Sequence, residues 1–187
     1  MSVLQSGLYT EFTADYACGA DVVNTERYHA RMTPAGLLVL NLEEVRRRSR
    51  KAWSGIPADR AHWKPDPDAM SCIEIVRHVL EGEFLYASMI RIGRSPASDE
   101  TPFTGRSYES VDAELAFAEP FRKECLALVA SLTSEELREK TVDRSDKGYV
   151  RSLSDFILRM AYHEAVHTGQ LLGYLRTMNV SRPNIWD

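Results

Sequence analysis

The sequence predicts an all-α protein built on four long helices, and three observations carry that prediction. Apolar residues recur at three- and four-residue steps in four separate stretches. Most of these stretches open on recognisable helix-start residues. No alternating strand pattern is sustained anywhere along the chain. At 187 residues, with 44% hydrophobic and 27% charged side chains, the chain fits one globular domain with room for a short extension.

Residues 1–32 show no sustained period. Their aromatic residues Tyr9, Phe12, Tyr16 and Tyr28 predict an arm that packs on the body, with a short helix over about Asp21 to Arg31. The bundle domain is expected to span 33–187. Its first helix starts at Thr33-Pro34, a cap followed by proline at the first helical position. Leu38, Leu42, Val45 and Ser49 then follow as its buried line, and Gly55 and Pro57 end it. Arg46-Arg47-Arg48, with Arg50 and Lys51, fall in its last turns, where cations suit the helix dipole; they read as a solvated helix end.

The prolines of Trp63-Lys64-Pro65-Asp66-Pro67 keep the next stretch out of helix. Ser71 with Glu74 three residues on is a capping box, and it opens a second helix from Cys72 to about Ile92. That helix is apolar on two adjoining sides (Val76, Val79, Leu80 and Phe84; Ile75, Gly82, Leu85 and Met89), as a helix inside a bundle should be. His78 falls in line with Leu85 and Met89 and is expected to point inward. Gly93 through Tyr108 is a long polar connection, suited to a crossover or a lid. A third helix is expected from about Val111 to Leu132, with a kink or delayed start at Pro120. Thr133-Ser134-Glu135-Glu136 caps a short helical turn, and Thr141 to Val150 suits a hairpin or an irregular loop. The last helix should begin near Ser152 or Ser154 and reach about Met178, with Leu153, Phe156, Met160, His163, His167, Tyr174 and Met178 as its core line.

Net charge is -4, which gives no reason to expect nucleic acid as partner. No apolar run is long enough to span a bilayer, and no basic-then-apolar leader is present, so no membrane partner is expected. Cys18, Cys72 and Cys125 are odd in number and widely spaced, which fits a reducing cytoplasm better than a disulfide framework.

The most informative stretch is His163-Glu164-Ala165-Val166-His167. Residues four apart share a helix face, so both imidazoles can reach one metal ion. The same pentapeptide marks zinc proteases, whose third ligand lies downstream of the second histidine. Here no histidine follows His167 and Asp187 is the only later acid, so the protease reading fails. Upstream, His29 lies in the arm and His62 in the proline-rich loop; only His78 lies on a predicted helix facing the interior. His78, His163 and His167 together would form a three-imidazole site with a position left for water or substrate.

Trp63-Lys64-Pro65, Ser71 through Glu74 to His78 with Glu83 beyond, and His163 through Gln170 together resemble the DinB/YfiT-like metalloprotein superfamily. The resemblance spans roughly Pro34 to Met178. It implies a DinB-like four-helix bundle with a long crossover connection, and it places His78, His163 and His167 at the family's metal-ligand positions. It further implies a homodimer, a divalent transition metal such as nickel, zinc, iron or manganese, and a small-molecule substrate. Relatives of this kind include thiol transferases that use low-molecular-weight thiols, and hydrolase-like proteins. The expectation is therefore a metal-dependent thiol S-transferase or hydrolase, with a non-enzymatic metal-binding or stress-associated bundle as the alternative. Glu164 is the nearest candidate general base, but it sits about 100° round the helix from His163 and equally suits a helix–helix contact. Gln170 shares the His163 face and could orient a ligand or substrate. Tyr86 and Tyr174 are further polar handles or core residues, and Trp63 is expected to cover one end of the bundle.

Overall fold

The structure, a computed structural model, describes residues 33–186. The arm, its short helix, His29 and Cys18 lie outside the described residues. Among those described, five helices and one hairpin follow in order: α1 (Pro34–Trp53), α2 (Cys72–Ile92), α3 (Val111–Ala130), α4 (Ser134–Glu139), β1 (Thr141–Arg144), β2 (Tyr149–Ser152) and α5 (Leu153–Thr177). Single 3-10 turns occupy Ala58–Arg60 and Ser145–Lys147. No described helix is long and apolar enough to cross a membrane.

The helix ends follow from local chemistry. The Thr33 hydroxyl accepts from the Gly36 N–H at 3.0 Å, satisfying one of the donors a helix start leaves free. At α2 the Ser71 N–H donates to the Glu74 carboxylate at 2.7 Å, as the capping box requires. Gly93 closes α2 in the left-handed region, with φ 73°, a conformation that favours glycine. Ser110 caps α3, and the helix runs unbroken from Val111 through the exposed Pro120, so the delayed start does not occur. Thr141 to Ser152 form an antiparallel hairpin in which Thr141 pairs with Ser152 and Arg144 with Tyr149. Val142 is the one buried residue of the two strands and Val150 is exposed, so no sustained apolar alternation announces the hairpin.

The four long helices form the bundle. α1 packs against α5 and α3, and α2 packs against the same two, so the consecutive helices α1 and α2 take diagonal corners. Long connections are what permit that arrangement. The core has two apolar halves. One gathers Leu38, Leu42, Cys125, Val129, Phe156 and Ile157 towards the hairpin; the other gathers Trp53, Ile75, Val76, Leu80, Leu171 and Leu175.

Between the halves lies a charged layer with one residue from each long helix. Arg46 of α1 donates to both carboxylate oxygens of Glu164 of α5, at 2.7 and 3.0 Å, and to Glu83 of α2 at 3.2 Å. Arg122 of α3 pairs with the other oxygen of Glu83 and donates to the Leu42 carbonyl at 2.7 Å. All four side chains are under a tenth exposed. Burial opposes the Arg46 charge, but Glu164 and Glu83 outweigh it and hold the guanidinium firmly protonated. The expectation of a solvated helix end therefore fails for Arg46. Four residues after Leu42 and three before Ser49, it continues the buried line of α1.

A second buried pair ties down the connection between α2 and α3. Arg77 binds the fully buried Glu114 through two nitrogens and donates to the carbonyls of Arg106 and Ser107, both at 2.6 Å. Its Cζ also stacks 3.7 Å from the Tyr108 ring centroid.

Candidate metal centre

The three histidines meet at the contact between α2 and α5. His78 comes from α2, and His163 and His167 stand one turn apart on α5. One ring nitrogen from each lies within 4.8 Å of the others. The Nε2 atoms of His78 and His163 are 3.0 Å apart, and the three ring centroids stand 4.6 to 4.9 Å from one another. Close approach here depends on Gly82, one turn beyond His78. A Cβ at that position would stand 3.1 Å from Cε1 of His163, so the missing side chain is the space the ring occupies.

The expected orientation needs correcting. His78 is exposed, and His163 and His167 are half-buried, so the cluster lies on the flank of the bundle and not in its interior. Leu153, Phe156, Met160 and Tyr174 of the expected line are buried, but the buried face extends from them through Ile157, Ala161, Glu164, Thr168 and Leu171, on the side away from His163 and His167. The histidines sit at its edge, facing α2.

Burial, with His167 and His78 next in order, pushes the His163 pKa down to about 4. Burial and His167 likewise lower His78, against an opposing pull from Glu81. Both rings are therefore neutral at neutral pH, the form in which imidazole offers a lone pair to a metal. His167 is oriented from outside the cluster. Its Nδ1 lies 2.9 Å from Oε1 of Gln170, and that oxygen can only accept, so Nδ1 carries the proton and Nε2 is left free. Gln170 in turn donates to the Tyr174 hydroxyl at 3.0 Å, and Tyr174 packs edge-on against Trp63. Gln170 thus touches a candidate ligand directly, and Trp63 is a packing residue near this end of the cluster.

Glu164, the candidate base, stands elsewhere. It is 4% exposed, and both its oxygens are held by Arg46 in the charged layer. A carboxylate so occupied is not poised to take a proton from a group at the cluster, and its place is the helix–helix contact. Among the described residues no cysteine, aspartate or glutamate joins the three histidines.

An all-α bundle with a trio of imidazoles on one flank defines the class of protein. Comparison with known proteins then gives the family: the profile of the DinB superfamily matches residues 41–171, and the chain belongs to that superfamily. It is 27% identical over 124 residues to the uncharacterized protein YjoA of Bacillus subtilis strain 168, an alignment covering 66% of this chain and 77% of YjoA. The crystal structure of that DinB-like protein superposes with a TM-score of 0.58 at 24% identity, covering 79% of this chain and 94% of the other, which supports the shared fold.

Proposed function

We propose that His78, His163 and His167 hold one divalent transition ion and that the protein is a metal-dependent enzyme, a thiol S-transferase or hydrolase acting on a small molecule. The observation that carries this reading is the convergence of three imidazole nitrogens within 4.8 Å. The donor set fits: burial disfavours the charged forms of His163 and His78, Gln170 holds His167 at Nδ1, and imidazole suits nickel, zinc and iron alike. An ion held there would supply Lewis-acid chemistry, acidifying a water or thiol bound on its open side. The chain's own part is to orient the rings through Gln170 and Tyr174 and to leave the exposed side of His78 accessible. That accessibility favours catalysis over a metal enclosed for structure alone.

The protein is further proposed to act as a cytoplasmic homodimer. Leu158, Tyr162 and Val166 are exposed at four-residue steps on α5, beside an apolar groove of about 510 Å³ between α1 and α5. Tyr162→Glu should then yield monomers by sedimentation. For the metal, elemental analysis should find close to one equivalent, lost in His78→Ala with helicity kept; full retention would refute the ligand assignment. A panel of bacillithiol, mycothiol and glutathione against electrophiles tests the thiol reading, which metal-dependent turnover without any of them would remove.

A further inference from the structure

At the hairpin end of α5, three guanidinium groups surround one phenol ring. The Cζ atoms of Arg144, Arg151 and Arg159 lie 5.9, 5.2 and 5.7 Å from the Tyr149 ring centroid. Arg144 and Arg151 come from the hairpin strands. Arg159 comes from α5, four residues before His163 and so on the same flank of the helix. Like charges gathered so closely repel one another unless anions join them.

The acids among the described residues do not fill this need. Asp155 pairs with Arg151 at 2.6 Å, and Asp146 lies 3.7 Å from Arg144. Arg159 takes part in none of the ion pairs among the described residues. The Nε atoms of all three arginines are buried and have no hydrogen-bond acceptor among the described residues. Arg48 and Arg106 share that feature, but among the described residues each is the single guanidinium over its ring, at Trp186 and Phe117. Tyr86 links the cluster to the histidines. Its ring stands 6.2 Å from that of His163, and burial pushes its phenol pKa up against a downward pull from Arg159.

We propose that Arg144, Arg151 and Arg159 form an anion subsite that takes a carboxylate or phosphoryl group of the small molecule whose reactive end reaches the histidines. Planar guanidinium forks suit both anions. Four residues, about 6 Å along the axis, separate Arg159 from His163, so one small acidic molecule can touch both. The link to the histidines rests on the function proposed above; the anion binding itself does not.

The test uses the full chain, metal-free and labelled with 15N-arginine, titrated with succinate or with inorganic phosphate against sodium chloride at matched ionic strength. The Nε–Hε signals of the three arginines should shift together with one dissociation constant. Arg159→Gln should weaken it at least tenfold while metal content stays unchanged, and Arg159→Lys should weaken it less. Should Arg159→Gln fail to fold, Arg151→Gln provides the same comparison. A response to succinate alone assigns a carboxylate, and one to phosphate alone assigns a phosphoryl group. His78→Ala should leave the titration intact, so a failed metal assignment would not be confused with a failed subsite. Signals that stay still, or move equally with chloride, overturn the proposal.

Discussion

Replacing Arg46 by methionine tests the charged layer directly. Methionine keeps much of the arginine's length and apolar volume but removes the charge. Glu83 retains Arg122, whereas Glu164 loses its cationic partner on both oxygens, with its side chain only 6% exposed. Two charge-assisted hydrogen bonds, at 2.7 and 3.0 Å, disappear from Glu164, each worth about 1.5–3 kcal/mol. The loss of one partner from a buried ion pair independently suggests about 3–5 kcal/mol. Urea unfolding followed by circular dichroism should therefore show the midpoint falling by about 2 M, for a slope of about 2 kcal/mol/M. The double variant Arg46→Met with Glu164→Leu should recover a large part of that loss, because it removes the orphaned carboxylate as well. Metal content should be unaffected in both. A single-variant cost below about 1 kcal/mol, or a double variant no better than the two single losses added, would refute the view of a dry, mutually dependent layer.

Other expectations follow from smaller features. Gly82→Ala should raise helix stability by up to about 1 kcal/mol while weakening metal binding, because the new Cβ presses on His163; competition with a chelator and thermal unfolding read the two signs separately. Glu74→Gln should cost about 0.5–1 kcal/mol at pH 7. Hydrogen bonds from Ser71 lower the Glu74 pKa, so its contribution is present above the unfolded-state value and lost as pH falls through the folded one. The difference between wild type and variant in urea midpoint should accordingly shrink towards zero in acid. Burial pushes the Cys72 and Cys125 thiols up to about 11 and about 12. Both should resist alkylation at pH 8 in the native protein and react in urea, by peptide mass spectrometry.

Much of this architecture was legible from short-range chemistry. Thr33-Pro34, Ser71 with Glu74, and Ser152 mark helix starts because backbone donors there need side-chain acceptors three residues away, a requirement written locally. The same holds for the histidine trio, whose members fall at helical spacing on two helices that pack together. Rotation was harder to read. The arc of α5 from Phe156 to Tyr174 is apolar on both sides of the histidines, and only the partners in α1 and α2 decide which side is buried. Arg46, Arg122 and Glu114 were illegible for a related reason. A charge on an apolar line looks like an interruption until its counter-charge on another helix is known, and those partners lie 118, 39 and 37 residues away.

The connection between α2 and α3 bears on how ligands arrive. Its first residues join the hairpin, where the Asp143 N–H donates to the Gly93 carbonyl at 2.8 Å. In its middle Thr101 donates to Glu81, the acid whose charge reaches His78, and Phe103 is 2% exposed. Arg77 grips its end. A segment fastened at three points has little freedom left to gain by opening, and each fastening would have to break before it swung aside. The segment is accordingly a standing wall and not a hinged strap; on the function proposed above, encounter with the histidine flank would depend on diffusion, and loop closure would not limit the rate.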